Sequence, residues 1–186
     1  RATGRGVLIF SAHLTNFNLG FLAFAIQGGF PIQTLSAPMP AGGFGVIRDL
    51  RNRGAIEDTA IDAASLLKAV RRLRGGGAAA IGIDWPIPES EERIEFFGAP
   101  SFVSSGPVRL ALSANALVVP LHCMWSAERG YWAVTDPPIE LTRSGNRERD
   151  IQDNTRHLLS IVEGWIRAAP DQWLMYHPVW PEPAGA

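Results

Sequence analysis

The sequence predicts an α/β fold with a largely parallel central sheet flanked by helices, and three observations carry that prediction. Short apolar runs, Val7-Leu8-Ile9-Phe10 and residues 78–83, have the length and composition of strands buried on both faces. The segment 63–74 stands directly before the second run and places Leu66, Leu67, Val70 and Leu73 at helical spacing. That helix-then-strand order is what a parallel crossover requires. A length of 186 residues, 46% of them hydrophobic and 19% charged, suits one domain with a substantial core.

After the first strand, residues 11–16 form a turn, and residues 17–26 read as a short apolar helix closed by Gly28-Gly29. Residues 32–35 are a second short strand. The breaker-rich loop Pro38-Met39-Pro40-Ala41-Gly42-Gly43 follows, then a helix over 44–52. The amphipathic helix 63–74 is stopped by Gly75-Gly76-Gly77, and the small-residue strand 78–83 ends at Asp84. A helix over 107–114, a buried strand over 117–125, an alternating strand over 131–135 and a long helix over 151–167 complete the pattern. No repeat, low-complexity tract or linker divides the chain, so residues 1–186 are read as a single domain.

Composition excludes more than it identifies. A net charge of −1 supplies no field to attract nucleic acid. The single cysteine, Cys123, forms neither an intrachain disulfide nor a multi-cysteine metal site, which favours a reducing compartment. No uncharged apolar run reaches the ~18 to 20 residues of a spanning helix. The chain begins at Arg1, close to a strand, and an N-terminal membrane-associating helix is expected to precede it.

In open α/β sheets ligands bind beyond the carboxyl ends of the strands, and two polar residues stand there. His13 follows the first strand by three positions, and Asp84 terminates the strand 78–83. If those strands are neighbours, imidazole and carboxylate meet as a general base and the group that orients it. The structural alternative has His13 capping a helix and Asp84 opening a turn before Pro86.

The stretch Ser11-Ala12-His13-Leu14-Thr15-Asn16-Phe17-Asn18 resembles the His-x4-acid motif of the lysophospholipid acyltransferase superfamily. Further blocks are similar, in order and spacing, to the bacterial lipid A biosynthesis acyltransferases of the lauroyl/myristoyl type and to the related phosphatidylinositol mannoside acyltransferases. They are Arg51-Asn52-Arg53-Gly54, residues 66–77 followed by Ala80-Ile81-Gly82-Ile83-Asp84, Phe96-Phe97-Gly98-Ala99-Pro100, Gly106-Pro107-Val108-Arg109-Leu110-Ala111 and Val118-Val119-Pro120. Near the end, Pro170-Asp171-Gln172-Trp173-Leu174 and residues 177–180 resemble the family's Pro-Glu-Gln-Trp and His-Arg-Arg-Trp blocks.

This resemblance implies a glycerol-3-phosphate acyltransferase-type fold and transfer of a fatty acyl chain to a hydroxyl of a glycolipid or lysophospholipid. The donor would be a thioester on acyl carrier protein or coenzyme A, with His13 as base and no metal or other cofactor. It also implies a membrane surface as partner and a location on the cytoplasmic face of the bacterial inner membrane. Position 18 departs from the motif, because Asn18 stands where the family has an acid. An amide orients an imidazole by hydrogen bonding but does not balance an imidazolium charge. Asp84 is therefore expected to supply the carboxylate. The competing readings are a catalytically impaired homologue that binds lipid or acyl carrier, and an acyl thioesterase.

Asn16 is a candidate oxyanion donor and equally a helix cap. Arg51, Arg53 and Arg109 are candidates for gripping a phosphate on the acceptor or the carrier, each with a surface ion pair as its alternative. Phe21, Leu22, Phe24 and Ile26 line an acyl groove, meet a bilayer, or pack in the core. His122 and His177 are read as structural, His157 as a residue of a polar helix, and Trp173 and Trp180 as core or interface aromatics.

Overall fold

The computed structural model describes residues 4–37, 44–52 and 56–182. The loop expected over 38–43 lies outside the described residues.

A six-stranded sheet runs in the order β3-β2-β4-β1-β7-β8. Its strands are β1 (Val7–Ser11), β2 (Ile32–Ser36), β3 (Ile56–Ala60), β4 (Ala78–Gly82), β7 (Leu117–Ser126) and β8 (Gly130–Thr135). All pairings are parallel except β7 with β8. The expected largely parallel α/β architecture is therefore the observed one. A separate antiparallel hairpin joins β5 (Ile94–Phe96) to β6 (Ala99–Ser101).

The sequence reading lacked β3, β5 and β6. Segment β3 reads Ile-Glu-Asp-Thr-Ala, and its Glu57 and Asp58 disguise it; it forms an edge, where a charged strand is tolerated. Strands β5 and β6 are three residues long, too short for a period to register.

Alternation along the central strands divides the interior into two layers. Leu8, Phe10, Ala79, Ile81 and Val118 face one side, which α3 (Ala63–Arg74), α4 (Gly106–Ala114) and α5 (Arg147–Ala168) cover. There Trp165 of α5 stacks on Phe10 at 5.7 Å and on His122 at 4.7 Å, pairs worth about 1 kcal/mol each beyond burial. Ile9, Ile32, Ala78, Ala80, Leu121 and Cys123 face the other side and meet Phe21 and Ala25 of α1 (Phe17–Gly28). The helix lies close on β7 because Gly20 has no side chain; a Cβ there would stand 2.0 Å from the Cys123 sulfur. The short α2 (Phe44–Asn52) completes the set.

Helix starts follow local chemistry. Asp62 and Ser65 form a reciprocal capping box on α3. Asn146 caps α5, which starts four residues before the expected position because its first turn, Arg147 to Asp150, is polar and carries no apolar periodicity.

Candidate active site

Register brings the two strand-end residues together. Strands β1 and β4 pair with Phe10 opposite Ile81 and Ser11 opposite Gly82. Two residues further along each chain, His13 and Asp84 therefore face each other. The His13 Nδ1 lies 2.7 Å from Asp84 Oδ1, and the His13 backbone N–H donates to Asp84 Oδ2 at 2.9 Å. Asp84 is fully buried, whereas 19% of the His13 side chain is open to solvent.

A third donor reaches the same carboxylate from the far end of the chain. Trp173 Nε1–H donates to Asp84 Oδ2 at 2.8 Å. Burial alone would push the Asp84 carboxyl upward; the charge and hydrogen bonds of His13, with the Trp173 bond, outweigh it and hold the group below the ordinary carboxylate range. An ionised Asp84 accepting from Nδ1 keeps the proton on that nitrogen and leaves Nε2 as the basic one. Among the described residues, Nε2 has no hydrogen-bond partner.

Aromatic rings and a bare backbone confine the imidazole. Phe17 meets it edge-on at 4.8 Å and Trp85 lies at 5.3 Å, with His177 on Trp85 at 4.7 Å. Beneath the ring is Gly82, where a Cβ would come within 2.9 Å of His13 Cε1. Sequence reasoning passed over Gly82 and gave Trp173 a packing role. For both the signal was a place in a block resembling the family's, Ala80-Ile81-Gly82-Ile83-Asp84 for Gly82 and Pro170-Asp171-Gln172-Trp173-Leu174 for Trp173.

Asn18 does not hold the imidazole. Its Oδ1 accepts from Arg51 Nε at 3.0 Å and from a second guanidinium nitrogen of the same residue. Arg51 is buried and also donates to Asp58 Oδ1 at 2.7 Å and Ser36 Oγ at 2.9 Å. The structure thus assembles Asn18, Arg51, Asp58 and Ser36 into one cluster, with Arg51 held against Asp58 rather than open to a phosphate. Arg109 donates to Ser105 and pairs with Glu92 at 3.4 Å and Glu148 at 3.2 Å. Asn16 caps α1, its Oδ1 accepting from Leu19 N at 3.3 Å. Arg53 lies outside the described residues.

Next to the imidazole, α1 is largely apolar and carries no charged residue, and only Phe21 and Ala25 of it are buried. Leu19 is 41% exposed, Ile26 60%, and Val46 of α2 73%. Residues 6–47 contain no Asp, Glu, Lys or Arg. No helix among the described residues is long and apolar enough to cross a membrane.

Residues 1–182 match the family model described as bacterial lipid A biosynthesis acyltransferase. The chain is 29% identical, over 109 residues, to a phosphatidylinositol mannoside acyltransferase of Mycobacterium tuberculosis, a match covering 59% of this chain and 33% of that protein. The protein of the same name from Mycolicibacterium smegmatis is 29% identical over 94 residues, covering 50% of this chain and 29% of that protein. The matched segment spans about a third of the length of these curated relatives.

Proposed function

The chain belongs to the bacterial lipid A biosynthesis acyltransferase family, and from that premise we propose that His13 and Asp84 are the centre of an acyl transfer from a thioester to a lipid hydroxyl. The observation that carries this reading is the bond between His13 Nδ1 and buried Asp84, which leaves Nε2 as the free base. Nε2 takes the proton of the acceptor hydroxyl while that oxygen attacks the thioester carbonyl. The tetrahedral intermediate collapses, the C–S bond breaks, and the imidazolium returns its proton to the departing thiolate. Asp84 stabilises the imidazolium and fixes the tautomer.

The donor is a thioester of acyl carrier protein or coenzyme A, and the acceptor is a glycolipid or lysophospholipid. Asn16, which caps α1 beside His13, offers its amide N–H to the developing oxyanion. Leu19 and Ile26 on α1, the helix that starts beside the base, and Val46 on α2 are exposed apolar side chains suited to the acyl chain and to the cytoplasmic face of a membrane. Peripheral association needs no spanning helix within this segment.

The test supplies long-chain acyl thioesters to the protein with a panel of lipid acceptors and compares His13→Ala with the parent. Acceptor-dependent transfer that disappears in His13→Ala is the expected result. Acyl-ligand binding without thiol release would identify a binding homologue, and release of free fatty acid independent of acceptor would identify a thioesterase.

A further inference from the structure

We propose that Trp173 is a positioning residue for the imidazole, its indole N–H holding the Asp84 carboxylate in the one orientation that serves His13 Nδ1; this rests on the reading of His13 as the base. A carboxylate has about four acceptor positions, and three of those on Asp84 are filled by His13 Nδ1, His13 N and Trp173 Nε1. The two fixed N–H donors converge on Oδ2, which leaves Oδ1 to the ring. Indole donates and does not accept, so the carboxylate has no alternative arrangement with it.

The segment carrying Trp173 is built as a strap over the loop that carries His13. Leu174 N–H donates to the His13 carbonyl at 2.7 Å, and Thr15 N–H donates to the Gln172 carbonyl at 2.7 Å. Leu14 and Trp173 thus pair as an antiparallel bridge. Gln172 anchors the strap to β7, its Oε1 accepting from Trp125 N at 2.8 Å and its Nε2 donating to Trp125 O at 2.9 Å. His13 is therefore tied on both sides of its own backbone, N–H to Asp84 and carbonyl to the strap. The Trp173 ring packs on Phe96 and Trp180, which fixes the direction of its N–H.

Trp173→Phe keeps the ring packing and deletes the donor. The carboxylate charge, shared with one donor fewer, then falls more strongly on the imidazolium and favours protonation of His13. Two consequences are expected: turnover falls about tenfold with KM for the thioester unchanged, and the acidic limb of the pH profile moves upward. Trp180→Phe is the control. Its indole donates to the Phe96 carbonyl at 3.0 Å within the same aromatic cluster, so a purely structural role would make the two variants behave alike. His177 beyond Trp85, the Arg51–Asp58 pair beyond Asn18, and Asp171 on the strap are common to all three proteins and cancel in the comparison.

The decisive readout needs no substrate. Titration of the His13 ring followed by NMR in parent, Trp173→Phe and Trp180→Phe is expected to show a raised midpoint in Trp173→Phe alone; a midpoint unchanged or lowered there overturns the proposal whatever the reaction proves to be. Should Trp173→Phe fail to fold, the indole N–H resonance of Trp173 in the parent protein decides. It is expected to titrate with the midpoint of His13, and a resonance that stays still through that midpoint overturns the assignment equally.

Discussion

Two carboxylates, one in a strand and one just past a strand end, each hold a basic side chain, and they hold different kinds of partner. Asp84, past the end of β4, bonds an imidazole whose other nitrogen has no hydrogen-bond partner among the described residues. Asp58, in β3, bonds Arg51, whose guanidinium is also engaged by Asn18 and Ser36. Both carboxyls lie below their ordinary range. Burial pushes Asp58 upward, and the hydroxyls of Thr34 and Ser36 with the Arg51 charge outweigh it, as His13 and Trp173 do for Asp84. A guanidinium does not release its proton at any pH the fold survives, whereas an imidazole exchanges one near neutrality. Similar carboxylate geometry therefore locks a fixed charge in one place and, on the function proposed above, orients a base in the other.

The largest effect is expected at Asp84. Asp84→Asn is expected to lower acyl-transfer turnover by about 10⁴, through the wrong tautomer and the lost counter-charge, as in a serine-protease triad that loses its aspartate. Steady-state kinetics on protein shown to be folded by circular dichroism checks this; a loss below about tenfold would remove Asp84 from the mechanism. Gly82→Ala comes next. The added methyl would lie 2.9 Å from His13 Cε1 and displaces the ring, with turnover falling by about 100-fold while urea unfolding changes little.

Asp58→Asn is expected to act on stability rather than chemistry. It leaves Arg51 buried without its counter-charge and costs about 2 kcal/mol, less than a fully enclosed pair loses because the cluster keeps some access to solvent. The pH dependence follows from the sign of the shift. Asp58 has a folded value below its unfolded value of 3.8, so its contribution is present above the unfolded value and lost as pH falls through the folded one. Denaturant midpoints of parent and variant should stay apart down to the unfolded value of 3.8 and converge only as pH falls from there through the lower folded value. The smallest effect is expected for Asn18→Asp, within about threefold in turnover, since position 18 touches Arg51 and not the imidazole. A hundredfold gain there would mean that position 18, and not Asp84, sets the base.

Much of this is legible in the amino-acid sequence. Apolar runs and helical spacing located β1, β2, β4, β7, β8 and all five helices, because those signals are local and repeat within a few residues. The strand-end rule singled out His13 and Asp84 for a physical reason: polar side chains just beyond buried strands project into the crevice of a parallel sheet. The same reasoning left position 18 open between an active and an impaired site. Asn18 reads as a damaged catalytic acid, yet its partner is Arg51, thirty-three residues away. The reading of Asn16 as a cap is what the structure shows, since a cap is decided within one turn.

From the sequence alone came the five helices, the five strands with a clear apolar pattern and the two polar residues just beyond β1 and β4, all of which depend on neighbours in the chain. Tertiary structure alone decided that these strands lie side by side in register, that the indole at 173 completes a carboxylate at 84, and that Arg51 faces Asp58 instead of solvent. Each of those facts is a pairing between distant segments, and no local period or propensity records which distant segment a strand will choose.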